Sequence, residues 1–259
     1  MSQNTLSESP WVVRPRPNPQ ARLRLFCFPY AGGAASVFYA WPNDMPGDVE
    51  VCPIQLPGRQ SRLEEPPFTR MEPLVQALAL AIQPYLDRPF AFFGHSLGAK
   101  ICFELARHLR AQGASMPVHL FFSGSIPPQI PNSDSPIHTL PDAEFVETLR
   151  RFNGTPEALL QNDELLQFFL PLLRADIALH ETYRYVPGEP FDCPVSVFGG
   201  LEDDDVSRDD LEAWRAHTRG EFTLRMLPGD HFFLRGARAP LLEAVSGDLG
   251  RVLAQMREG

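Results

Sequence analysis

The sequence predicts an α/β fold, a mostly parallel central sheet with helices on both faces and a helical lid inserted over one edge. Three observations predict it. Short apolar runs alternate with stretches whose apolar residues recur at helical spacing. The short runs are apolar throughout, as in strands buried on both faces. One interval between runs is far longer than a simple crossover needs. The chain has 259 residues, 44% of them hydrophobic, enough for one large domain carrying an insertion.

The elements follow in order. Residues 1–20 are polar and proline-rich without an apolar h-region, so they read as a flexible N-terminal extension and not as a secretory signal. Arg22–Phe28 is a strand, broken by Pro29-Tyr30-Ala31-Gly32-Gly33-Ala34. Val49–Gln55 is a second, ended by Leu56-Pro57-Gly58-Arg59. Leu74–Leu86 reads as a helix, with Pro73 in its first turn and Pro84 near its end. Pro89–Phe93 is a short aromatic strand. Ala99–Gln112 is a helix with Ile101, Phe103, Leu105, Ala106 and Leu109 on its apolar side. Val118–Phe122, Val195–Phe198 and Phe222–Leu227 complete the strands, and Arg208–His217 and Leu241–Met256 the helices. Residues 21–125 and 191–259 are thus the expected core.

Seventy-two residues, 123–194, separate two of these strands, where a crossover needs roughly a dozen. Helical patterns run from Asp142 to Phe152 and from Glu164 to Tyr185. The second carries more apolar side chains than one packed face uses, among them Leu165, Phe168, Leu172, Leu173 and Ile177. Some of these are expected to line a cavity. Residues 126–190 are therefore expected to form the inserted helical lid.

The chemistry starts at Gly94-His95-Ser96-Leu97-Gly98, between the aromatic strand and its helix. A Gly-x-Ser-x-Gly turn in that context is the nucleophile elbow of the α/β-hydrolase fold. Its glycines leave room for a tight turn, and the helix N-terminus below favours developing negative charge. A serine hydroxyl needs a base, and the base needs an orienting acid. In this fold the chain order is serine, acid, histidine. Of seven histidines, His231 lies just beyond the last strand, where a loop reaches the carboxyl end of the sheet. His119 and His138 precede the expected acid. His95 is inside the elbow, and His108, His180 and His217 fall in helical patterns as surface or packing residues. The acid follows Val195–Phe198, within Glu202-Asp203-Asp204-Asp205. Asp203 is the choice, with Asp204 and Glu202 as alternatives. The expected oxyanion donors are the backbone N–H groups of Leu97 and Ala31.

Charge and cysteine content narrow the function classes. The net charge is −9 and no basic block exists, which argues against nucleic acid. No apolar stretch is long enough to span a bilayer, so no membrane partner is expected. Lys100 is the only lysine. An acidic partner would need a local arginine patch, with Arg59, Arg62, Arg107 and Arg110 as candidates. Cys27, Cys52, Cys102 and Cys193 are scattered without a C-x-x-C pair, so no metal site is expected and they read as free thiols in a reducing cytoplasm.

Five motifs then stand in a recognisable order: Phe28-Pro29-Tyr30-Ala31-Gly32-Gly33, Gln55-Leu56-Pro57-Gly58-Arg59, Gly94-His95-Ser96-Leu97-Gly98-Ala99, Gly200-x-x-Asp203 and Gly229-Asp230-His231-Phe232. From about Arg22 to the C-terminus the chain resembles the type II thioesterases associated with polyketide synthases and nonribosomal peptide synthetases. Leu97 stands where methionine is common in them, and Asp230 where a second glycine is frequent. The resemblance implies an editing enzyme that hydrolyses acyl groups from the phosphopantetheine arms of carrier proteins. Ser96 would attack the thioester, His231 would take its proton, and Asp203 would orient His231. The partner would be an acyl-loaded carrier protein or domain. No cofactor is implied, because phosphopantetheine arrives with the substrate, and a monomer is expected. The alternatives are an esterase or lipase acting on a free small-molecule ester, and a non-catalytic binding module on the same fold.

Overall fold

The computed structural model describes residues 9–131, 135–151 and 161–258. Six strands form one sheet: β1 (Leu23–Phe28), β2 (Val49–Pro53), β3 (Phe90–His95), β4 (His119–Ser123), β5 (Val195–Gly200) and β6 (Phe222–Leu227). Their order is β2-β1-β3-β4-β5-β6, and every adjacent pair is parallel.

Strand residues alternate between two apolar layers, which is why the runs read as apolar throughout. Phe26, Phe28, Phe90 and Phe92 face one layer, packed by helices α1 (Met71–Ile82) and α2 (Leu97–Ala111). Leu23, Leu25, Cys27 and Phe93 face the other, against Phe38, Trp41 and the helix here numbered α7 (Arg238–Glu258). Between β5 and α7 lie the short helices α5 (Arg208–Glu212) and α6 (Phe233–Gly236).

Between β4 and β5 the chain carries α3 (Asp142–Arg151) and α4 (Asp163–Glu181). Asn162 caps α4, its side chain accepting the Leu165 amide at 3.1 Å, which satisfies one orphan donor of the first turn. Phe145, Val146 and Leu149 of α3 meet Leu166 and Leu170 of α4 in a small core of their own. Phe152, the expected end of α3, lies outside the described residues.

Residues 9–20 differ from the expected flexible extension. Val12 is buried and forms an antiparallel bridge with Ile54. The Val13 amide donates to Pro53 O at 2.9 Å, and Gln55 N donates to Trp11 O at 2.9 Å. The segment covers the outer edge of β2, where unpaired strand groups would otherwise face solvent.

The topology sets where a site falls. The chain passes from β1 outward to β2, then returns to the other side of β1 as β3. This reversal opens a crevice at the carboxyl ends of β1 and β3, where ligands bind in open parallel sheets.

Candidate active site

Ser96 sits at that crevice, as the residue preceding α2. Its backbone is at φ +53°, ψ −116°, a conformation that costs a non-glycine residue about 1–3 kcal/mol. The flanking glycines make the turn possible. A Cβ on Gly94 would lie 2.2 Å from Gly98 O, and one on Gly98 2.2 Å from Phe28 O. Close contact at Gly98 seats the start of α2 on the end of β1. It also brings the Leu97 amide beside the loop that follows β1. The Ser96 amide donates to Ser123 O at 2.8 Å, tying the turn to β4.

Asp203 and His231 converge because β5 and β6 stay paired beyond their ends. Leu201 N donates to Leu227 O at 2.8 Å, and Glu202 N to Gly229 O at 3.0 Å. Gly200 permits this approach, since a Cβ there would meet Asp230 O at 2.4 Å. His231 Nδ1 then lies 2.8 Å from Asp203 Oδ2, and the Asp203 side chain is fully buried. Its second oxygen accepts the amides of Asp205 and Val206 at 3.0 and 3.2 Å. With both carboxylate oxygens engaged, Nδ1 donates to Asp203 and Nε2 keeps its lone pair for a proton. Glu202, Asp204 and Asp205 are exposed. Asp203, Asp205 and His231 bring three ligand atoms within 4.8 Å of one another, but Asp203 is occupied by these bonds.

His95 has a position that the sequence did not reveal. Its ring is wholly buried, and Nε2 donates to the backbone carbonyl of His231 at 2.9 Å while Nδ1 accepts from Ser123 Oγ at 2.9 Å. Burial first, and then the nearby His231, pushes its pKa well below the ordinary value. His95, whose neutral form burial favours, thus holds the His231 main chain in place. Only its location inside the elbow hinted at this.

The loop after β1 is equally constrained. Gly32 lies at φ +74°, and Gly33 N donates to Tyr30 O at 2.8 Å. Gly32 N donates to Asp176 Oδ2 at 2.7 Å. With those two amides engaged, the Ala31 amide is the loop's candidate oxyanion donor, and Ala31 and Leu97 both line the cavity that holds Ser96. Asp176 belongs to α4 and is fully buried. It forms a two-pronged pair with Arg59, both bonds at 2.8 Å. Arg59 also donates to Gly33 O at 2.9 Å. One arginine therefore joins α4, the Tyr30–Gly33 turn and the loop after β2.

This removes Arg59 and Arg62 from the arginine patch expected for docking. Arg59 and Arg62 are buried. Arg62 stacks over Trp11, its guanidinium carbon 3.9 Å from the ring centre, and pairs with Glu65. Arg107 binds Glu104 and Val186 O, and Arg110 binds Pro190 O. Arg107 and Arg110 have these internal partners but remain half-buried.

Ser96, His231, Ala31 and Leu97 line one cavity of about 620 Å³. Its apolar wall comes from Ile126, Ile130, Ile137, Leu149, Leu173 and Ile177. Polar side chains line it too: Lys100 and His180, and the acids Glu181, Asp204, Asp205 and Asp210. His180 is therefore a cavity residue, not the surface or packing residue its helical pattern suggests.

The parallel sheet, the strained serine at the strand–helix turn and the adjoining cavity define an α/β-hydrolase. A sequence model of the thioesterase domain matches residues 23–249, and the chain belongs to that family. It is 49% identical over 244 residues to the gramicidin S biosynthesis protein GrsT of Aneurinibacillus migulanus, a match covering 94% of this chain and 95% of that one. Among solved structures it resembles RedJ, a thioesterase of the prodiginine biosynthetic pathway in Streptomyces coelicolor. That likeness has TM-score 0.84 and 41% identity over 89% of this chain and 92% of RedJ. The type II thioesterase BorB, from the borrelidin biosynthetic cluster, has TM-score 0.84 and 34% identity over 93% of this chain and 98% of BorB.

Proposed function

We propose that this thioesterase removes acyl groups from the phosphopantetheine arms of carrier proteins or domains, freeing arms blocked during polyketide or nonribosomal peptide synthesis. The observation that carries the reading is that His231, held by Asp203, shares one cavity with Ser96. The family membership and the biosynthetic settings of GrsT, RedJ and BorB support it.

In the first half-reaction, Ser96 Oγ attacks the thioester carbonyl while His231 Nε2 takes the hydroxyl proton. Negative charge builds on the carbonyl oxygen, where the Ala31 and Leu97 amides donate. One such donor is worth about 2.7–4 kcal/mol to the transition state. The C–S bond breaks, and the phosphopantetheine sulfur leaves with the proton from His231. In the second half-reaction His231 deprotonates water, which attacks the acyl-serine. Ser96 regains its proton and the free acid departs. Asp203 holds one tautomer of His231 and stabilises the imidazolium formed in each half.

Within the expected lid, whose residues 132–134 and 152–160 lie outside the described residues, α3 and α4 act in this reading as a cover over the acyl chain, since they supply Leu149, Leu173 and Ile177 to the cavity wall. All the proposed catalytic groups come from one chain, which supports action as a monomer. Among the described residues no helix is long and apolar enough to cross a membrane, in keeping with carriers met in the cytoplasm.

The test is hydrolysis of a panel of acyl-loaded carrier domains, followed by intact-protein mass, against the matching esters of simple alcohols. The wild-type protein should unload carriers in preference to the esters, and Ser96→Ala should unload none. Asp203→Asn should lower kcat by about 10⁴-fold, far more than Asp204→Asn. Preference for the simple esters would replace the carrier reading with that of an esterase.

A further inference from the structure

The chain's only lysine is in an unusual place. Lys100 lies four residues beyond Ser96, one turn along α2, and so on the same side of that helix. It is 9% exposed and lines the cavity that holds Ser96 and His231. Among the described residues it enters no ion pair. Its amine donates only to the His180 ring, whose nitrogens lie at 3.2 and 3.3 Å. Burial alone lowers the Lys100 pKa to about 8, with no carboxylate offsetting it.

His180 cannot neutralise that charge. Burial, then the Lys100 and His231 charges, depress its pKa to about 3, so it remains a neutral acceptor. Glu181, the acid next to it on the cavity wall, is already engaged by the amides of Ile137 and His138 and by the His138 ring. Lys100 therefore keeps unused donors on a cavity of mixed lining, where Ile126, Leu173 and Ile177 stand with Asp204, Asp205 and Asp210, and among the described residues none of these acids forms an ion pair with it. An apolar residue would cost less there if the acyl chain were a plain hydrocarbon.

We propose that Lys100 is a specificity residue that binds a carboxylate on the acyl group, so that the enzyme prefers acyl chains ending in a carboxylate, the half-thioesters of dicarboxylic acids. This rests on the thioesterase reading above. A carboxylate entering the pocket supplies the missing counter-charge, and His180 holds the ammonium toward it. A neutral chain of equal length leaves the cation unpaired and is discriminated against.

The experiment compares succinyl and glutaryl thioesters with butyryl and valeryl thioesters on one carrier domain. The wild-type kcat/KM should favour the carboxylated series by about 10- to 100-fold. Lys100→Met should reduce that ratio by a similar factor, and Lys100→Arg should retain most of it. On the wild-type protein alone, free glutarate should inhibit more strongly than free valerate by a comparable factor. That measurement needs no variant to fold. Equal turnover of the two series, or equal inhibition by the two acids, would overturn the proposal while leaving the thioesterase reading intact. No turnover of either series would overturn both.

Discussion

Asp176 and His180 stand one turn apart on α4 and meet opposite circumstances. Asp176 is fully buried, holds both terminal nitrogens of Arg59 and accepts the Gly32 amide. Every lone pair that matters is used within the chain. His180 meets Lys100, a cation without a carboxylate among the described residues. The same helix thus presents a closed electrostatic site to the loop after β1 and an open one to the cavity beside Ser96. Closed charge fixes geometry, because removing any member leaves another stranded. Open charge costs stability in the empty protein and is suited to recognising what enters.

The largest break in this comparison is Arg59→Met. It leaves the Asp176 carboxylate buried without its counter-ion, which costs about 3–5 kcal/mol, measurable by urea unfolding. It also frees Gly33 O and loosens the turn carrying Ala31, so kcat should fall. The double variant Arg59→Met/Asp176→Leu removes the stranded charge and should regain most of the stability. Its kcat should stay low, because Gly32 N has lost its acceptor. Recovery of both together would show that the pair serves stability alone.

The next effect tests the open side. Lys100 has a folded pKa of about 8 against an ordinary 10.5. Between those values the unfolded chain binds more protons than the folded one, so stability rises with pH across that window. The penalty is present in full below pH 8 and relieved as pH approaches 10.5. It amounts to something on the order of 3 kcal/mol. Cys27 and Tyr183, whose pKa values burial raises, act in the opposite direction in the same range. The quantity to measure is therefore the difference between wild type and Lys100→Met, in which they cancel. That difference should shrink from pH 8 to 10.5. Because Lys100 is the only lysine, a single side-chain NMR resonance gives its midpoint directly, expected near 8. A midpoint near 10.5 would remove the contrast.

These two regions also differ in how far they could be read from sequence. The strands were legible because each is short, apolar and buried on both faces. The elbow was legible because Gly94 and Gly98 permit backbone contacts that no side chain allows. β5 runs two residues past its expected end, since Gly199 and Gly200 still pair with Met226 and Leu227, and glycine gives no strand signal. α2 begins at Leu97, directly after Ser96, because the turn's own strain serves as the helix entry. α4 stops at Glu181, short of the expected Tyr185, with Thr182 capping it back to Ala178. Arg208–His217 divides into α5 and a 3-10 turn. The long-range polar contacts were not legible. Arg59 and Asp176 are 117 residues apart, and no local pattern joins them. One signal existed for each region: an acid inside the apolar stripe of α4, and a lone lysine one turn beyond Ser96. Both are charges where the periodicity asks for apolar residues.

The smallest effect separates holding a cation from creating its need. His180→Gln keeps an acceptor near Lys100 and removes the ring. A hydrogen bond from a charged donor contributes about 1.5–3 kcal/mol, and the amide oxygen should recover most of it. Stability at pH 7 should therefore fall by no more than about 1.5 kcal/mol. The Lys100 midpoint should stay well below 10.5, since burial is what lowers it. If the midpoint returned to 10.5, His180 would be what keeps the lysine buried. Lys100 would then have moved to solvent, and the open site would depend on α4 as much as the closed one does.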